Sequence, residues 1–185
     1  MLLKFVPVEK DGDILFAHPA RTLSELIESG KQYAEYLQYQ GFNDKSGKEV
    51  YQGDLLELKI TDELMDFPKD GFANSNLGKD LKKRPRVISV LCHIGYDGVS
   101  RIGCSYDVYY MDRDRRIVND KDEPEICPIA SGTDTDFPMY LCQKGATVIA
   151  NSVTTTNNSL FEQIAGYTGY TKTTPIPEHA IMDSY

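Results

Sequence analysis

Tryptophan is absent from this chain, histidine occurs three times and cysteine four times. The cysteines, Cys92, Cys104, Cys127 and Cys142, form no C-x-x-C pair, so no zinc-knuckle or zinc-ribbon pattern exists. A chain of 185 residues buries enough surface to fold without staples, and the four read as free thiols without metal. Adjacent residues on a strand project to opposite faces, so Cys92 and His93 cannot form a catalytic pair with each other. The other histidines, His18 and His179, sit near opposite ends of the chain. Apolar runs are short. None approaches the roughly 18 residues of a membrane span, and Met1–Val8 is too brief for a secretory signal. The chain therefore reads as cytoplasmic. Phosphate-loop, dinucleotide, nucleophile-elbow and H-E-x-x-H motifs are all missing, which removes the common enzyme classes and their cofactors.

Positive charge is also scarce. Lysine and arginine number 20 against 28 acidic residues, a net charge of −8, which repels phosphate backbones at long range. RNP-type aromatics, finger spacing and a helix-turn-helix pattern are lacking. What basic character exists is concentrated. Lys79–Arg86 holds Lys79, Lys82, Lys83, Arg84 and Arg86, and Arg113, Arg115 and Arg116 make a second patch. Lys82, Lys83, Arg84 and Arg86 are the candidate nucleic-acid contacts. Acidic pairs at Asp120/Asp122 and Asp134/Asp136 lack the glycine-plus-glutamate frame of a calcium loop.

The remaining pattern is mostly extended. Leu2–Val8 and Ile14–Ala17 flank the hairpin dipeptide Asp11-Gly12. Thr22-Leu23-Ser24-Glu25 is a capping box that opens a short helix expected to bury Leu23, Leu26 and Ile27, with Gly30 as its stop. Asn43–Gly47 is a cluster of turn formers between apolar flanks, which predicts a hairpin whose connection lies within Asn43–Lys48. Gly53 interrupts a strand, as at a bulge or a close backbone approach. Leu56, Leu58 and Ile60 then alternate with Glu57 and Lys59, the signature of a half-buried strand. Residues 62–84 are rich in breakers and read as a long loop. Strands resume at 86–94, turn at Tyr96-Asp97-Gly98, and return over 102–111, with Tyr106, Val108 and Tyr110 on one face. Residues 111–135 are polar and acidic. A last strand is expected over Thr147–Val153, followed by a helix opening at Asn157–Ser159.

Gln38-Tyr39, Gly41, Asp44-Lys45, Gly47-Lys48-Glu49, Tyr51 and Gly53-Asp54 carry a resemblance to the YopX family of phage and prophage proteins. Thr147–Val153 with Asn157–Phe161 is similar to the family's closing segment. The resemblance implies a mainly β protein: a small SH3-like antiparallel barrel with a short N-terminal α/β element and long polar loops. Periodicity alone gives only mostly antiparallel β. The expected divisions are 1–37 for the N-terminal element, 38–165 for the barrel body and 166–185 for an extended tail. The chain departs from the family in its tryptophan-free opening, in a longer stretch between the two similar segments, and in the tail beyond residue 165.

These features lead to the expectation of a non-enzymatic interaction or assembly protein that binds a protein partner or itself, with twelve tyrosines suited to interfaces. Docking of the tail on a neighbouring subunit, through Tyr167, Tyr170, Ile176, Pro177, Ile181, Met182 and Tyr185, implies a homo-oligomer. The alternative is a nucleic-acid-associated accessory factor acting through residues 79–86.

Overall fold

Hairpins account for most of the architecture, and every strand pairing among the described residues is antiparallel. The computed structural model describes residues 3–11, 14–66, 71–95, 105–119, 121–153 and 159–168. The turn at Gly12-Asp13, the turn at Tyr96-Asp97-Gly98, Cys104, Asp120, Asn157 and the tail from 169 lie outside them. The N-terminal sheet holds β1 (Lys4–Asp11), β2 (Ile14–Ala17), β3 (Arg21–Thr22), β4 (Glu35–Asn43) and β5 (Glu49–Tyr51), in the order β2-β1-β4-β5 with β3 also on β1. The second sheet runs β10 (Ala130–Gly132), β8 (Tyr106–Asp112), β7 (Val87–Ile94), β6 (Asp54–Lys59) and β11 (Thr147–Asn151), with β9 (Ile117–Val118) added to β8. The curled sheets form a half-barrel. The protein is thus mainly β and small-barrel-like, as the family resemblance implies.

The signature hairpin forms as expected. Tyr39 pairs with Tyr51 and Asn43 with Glu49, and the connection runs through Asp44–Lys48. At Gly53 the chain leaves one sheet for the other. Its φ of +83° suits glycine, and a Cβ there would press on the Ser152 Oγ and the Asn151 side chain. The expected close backbone approach is therefore present.

Strand β6 differs from its half-buried reading. Leu56 and Leu58 join Phe42, Val50, Leu81 and Leu141 in the larger core. Leu55 joins Leu91, Tyr109, Leu160 and Ile164 in a second core on the other side. Helix α5 (Ser159–Thr168) supplies Leu160 and Ile164, so the far face is covered as well. Glu57 is consequently buried and accepts a hydrogen bond from the Ser89 hydroxyl at 2.8 Å. Ile60 is only half-buried at the strand's end.

Helix α1 (Leu23–Ser29) begins at the expected box. The Thr22 hydroxyl accepts from the Glu25 amide, the Glu25 carboxylate accepts from the Thr22 amide, and Gly30 ends the helix at φ 62°. Its burial does not follow expectation. Leu26 is buried, but Leu23 is 42% exposed and Ile27 71% exposed. The apolar stripe is wider than the neighbouring sheet can cover.

Residues 62–84 are not a structureless loop. They contain α2 (Asp62–Asp66), a 3₁₀ turn at Phe72–Asn74 and α3 (Asn76–Leu81). Phe72 and Leu81 are buried in the larger core, and the Ser75 hydroxyl caps α3 by accepting from the Gly78 amide at 3.0 Å. Gly78 looks like a breaker in sequence, yet it sits inside α3 because a Cβ there would collide with the Phe72 carbonyl. Helix α4 (Asp136–Gln143) was likewise not expected; Leu141 and Cys142 anchor it to the core, and Phe137 stacks on Tyr106 at 5.5 Å. No helix among the described residues is long and apolar enough to cross a membrane.

Candidate functional site

The polar atoms of the signature are taken up inside the protein. Asp44 Oδ1 accepts from the amides of Ser46 and Lys48 and from the Ser46 hydroxyl, while Oδ2 accepts from the Val148 amide at 2.8 Å. Burial pulls the Asp44 carboxyl upward, but these hydrogen bonds outweigh it and hold the group below its ordinary range. Glu49 accepts both from Lys4 Nζ and from the Tyr51 hydroxyl at 2.7 Å. Asp54 accepts from the Tyr51 amide and from Asn151 Nδ2 at 2.7 and 2.8 Å. Its burial raises the carboxyl to about 6 against those two donors. Asn151 also donates to the Gln52 carbonyl. The two segments that resemble the family, distant in sequence, are thus joined as β6 and β11 and locked by Asp44 and Asp54.

Cys92 and His93 lie on opposite faces of β7, as their adjacency requires. Cys92 belongs to the larger core, while His93 is fully buried and its imidazole is pushed down to about 4 by burial alone. Cys142, also in the core, is pushed up to about 12 by burial, with Asp44 adding to the rise. The Cys142 thiol therefore lacks the lowered pKa of an activated nucleophile. Cys127 is exposed. Asp134 accepts from the amides of Asp136 and Phe137 and so opens α4.

The basic residues are sorted rather than pooled. Lys82, Lys83 and Arg86 are exposed. Arg84 is engaged: its guanidinium meets Asp80 at 2.9 Å and Asp122 at 3.4 Å and lies 5.4 Å from the Tyr110 ring centre. Tyr110 donates its hydroxyl to the same Asp80 at 2.7 Å. Arg84 therefore ties α3 to β8 and to the turn before Pro124.

The β7–β8 pairing brings the two basic segments together. Val87 lies opposite Asp112 at the end of this pairing, and Arg86 and Arg113 are the next residues beyond it on the two segments. Pro85, Arg86, Asp112, Arg113, Asp114, Arg116 and Asp122 line a cleft of about 480 Å³. Arg116 is paired there with Asp112 and Asp114 at 3.2 and 2.7 Å. In the sequence Arg86 belongs to one basic run and Arg113 and Arg116 to another, and only the fold brings them, with Asp112 and Asp114, to one cleft. The strand register was the missing link.

The turns that wall the cleft share one construction. Asp112 Oδ1 accepts from the amides of Asp114 and Arg116, and Asn119 Oδ1 accepts from those of Lys121 and Glu123. Arg115 and Asp122 take positive φ, 59° and 61°, the two non-glycine residues to do so among those described. Such conformations cost on the order of 1–2 kcal/mol for an L-residue.

A family model described as YopX protein matches residues 9–108. The match ends within β8, so the β11 segment lies beyond it. No curated protein and no solved structure matches the chain.

Proposed function

We propose that this chain, which belongs to the YopX family, works as a non-enzymatic assembly protein that associates with a second copy of itself. Membership points to a phage-type protein. The observation that supports assembly is the outer face of α1. Leu23 and Ile27, one helical turn apart, both stand in solvent. Leu3 is 42% exposed, and its carbonyl accepts the Leu23 amide at 3.1 Å, which places a third exposed apolar residue beside the helix start. A capped helix with an uncovered apolar stripe is preformed for docking and costs little to order. The internal use of Asp44, Glu49 and Asp54 fits a signature selected for architecture.

Sedimentation velocity on the full chain tests this reading, beside a variant carrying Leu23→Lys and Ile27→Lys. Both side chains are exposed, so circular dichroism should be unchanged. The expected outcome is a wild-type oligomer that becomes monomeric in the variant. A monomeric wild type across the micromolar range, or an oligomer indifferent to the two lysines, sinks it.

A further inference from the structure

We infer that the cleft between the β7 end and the β8–β9 turn binds a phosphate group carried by a small molecule, with Arg86 and Arg113 as its clamp. The site is independent of the α1 face.

The first support is charge pairing. Arg84 has Asp80 and Asp122, and Arg116 has Asp112 and Asp114. Arg86 and Arg113 have no acidic partner among the described residues, although three aspartates line the same cleft. Those aspartates already serve other donors: Asp112 holds its turn and Arg116, Asp114 meets Arg116, and Asp122 meets Arg84. Two guanidiniums remain unneutralised in the one cleft. Two like charges lining one cleft repel each other, and a dianion between them removes that penalty.

The second support is geometry. Arg86 and Arg113 both line the cleft, each one residue beyond the pairing of Val87 with Asp112. Two planar guanidinium forks lining one cleft suit a phosphate, which can take paired hydrogen bonds from each. The volume of about 480 Å³ falls within the range of small-molecule sites, so the group can carry a substituent of nucleoside or sugar size. The backbone agrees: Arg115 and Asp122, held at positive φ, stand in the two turns that shape the walls, and strain of this kind gathers at binding sites.

The third support concerns the source of the phosphate. Asp112 and Asp114 sit beside the clamp, and the chain is net −8. An extended polyanion would have to pass those carboxylates, whereas a single phosphate need only meet the two arginines. A small phosphate ester is therefore favoured over a nucleic-acid backbone.

Calorimetric titration of the full chain at constant ionic strength tests the inference, with inorganic phosphate, adenosine monophosphate and a short DNA duplex as separate probes. Adenosine monophosphate should bind saturably, and Arg86→Gln and Arg113→Gln should each weaken it about tenfold or more, since a charge-assisted hydrogen bond is worth about that factor. Lys79→Gln, an exposed charge outside the cleft, should leave affinity unchanged. Without ligand, neither arginine variant should lower the melting temperature, because neither side chain holds the fold. Absence of saturable binding, or an equal loss with Lys79→Gln, overturns the site. Tighter binding of the duplex than of the nucleotide, lost with Arg86→Gln, overturns the small-molecule source and assigns the clamp to nucleic acid.

Discussion

Asp44 and Asp112 hold two turns in different sheets by the same set of hydrogen bonds. In each, one carboxylate oxygen accepts the amides two and four residues on. The aspartate amide donates to the carbonyl four residues on, and the third residue after it donates back to the aspartate carbonyl. That third residue must be left-handed: Gly47 at φ 88° in one turn, Arg115 at 59° in the other. The loop is the three-residue hairpin connection closed by a left-handed bulge residue.

The shared turn gives opposite expectations for two substitutions. Gly47→Ala places a Cβ on a left-handed residue with no compensating contact, since nothing lies within 4 Å of it. The expected loss is about 1 kcal/mol. Arg115→Gly relieves that same strain and should gain roughly 0.5–1 kcal/mol, less the entropy that glycine adds to the unfolded chain. Urea denaturation measures both. Equal signs for the two variants contradict the common geometry.

Asp44→Asn separates the carboxylate's two tasks. The amide oxygen can still accept from Ser46 and Lys48, but the NH₂ group cannot accept from Val148, whose amide is left without its partner. The expected destabilisation is about 1–3 kcal/mol. Because the hydrogen bonds lower the wild-type carboxyl below its ordinary value, its stabilisation is fully present above about pH 4 and lost as pH falls through the folded value. The variant should therefore differ most from wild type at neutral pH and approach it in acid. A constant gap down to the acid transition would contradict the assignment.

Much of the framework is legible in the residues because it rests on local chemistry. The capping box at Thr22 and Glu25, the stop at Gly30, the turn at Asp44–Lys48 and the period-2 faces of β7 and β8 all follow from neighbours in sequence. What the residues conceal depends on contacts across the chain. Gly78 and Ser75 look like loop formers until Phe72 arrives to pack beneath them. Leu55–Leu58 looks half-buried until α5 covers the second face. The cleft is concealed for the same reason: Arg86 and Arg113 become neighbours only through the pairing of Val87 with Asp112. The turn pattern at Asp112 and Asn119 repeats that at Asp44, and this repetition was the signal available in the sequence.

His93 and Asp54 set opposing pH dependences. Burial lowers the His93 imidazole to about 4, so its neutral form supports the fold above the ordinary value near 6.5, and that support is lost as pH falls toward 4. Burial raises Asp54 to about 6, so its contribution is greatest below its ordinary value near 3.8 and is lost as pH rises through about 6. The two oppose each other between pH 4 and 6. His93→Gln removes one of them. Relative to wild type, the variant should gain stability on acidification at about 1.4 kcal/mol per pH unit, roughly 3 kcal/mol in all from pH 6.5 to 4. Denaturation curves at a series of pH values give this difference directly, and parallel curves for the two proteins rule it out.

Arg84 and Arg86 stand two residues apart and should respond in opposite ways to substitution. Arg84 is mostly buried, bridges Asp80 and Asp122, and covers the Tyr110 ring. The guanidinium is the main reason that Asp80 stays below the usual carboxylate range. Arg84→Met keeps the stem but leaves Asp80 and Asp122 without their cation, and about 1–3 kcal/mol of stability should go with it. Arg84→Lys keeps the charge yet loses the planar fork, so it should recover only part of that loss. Arg84 itself does not line the cleft, but its partner Asp122 does, so nucleotide affinity should fall less than with Arg86→Gln, and less with lysine than with methionine. Arg86→Gln should show the reverse, with the melting temperature kept and affinity lowered. Thermal melts and calorimetry on the same three variants make the comparison. If Arg84→Met abolishes binding while leaving stability intact, Arg84 is a ligand contact and not the brace between α3 and β8.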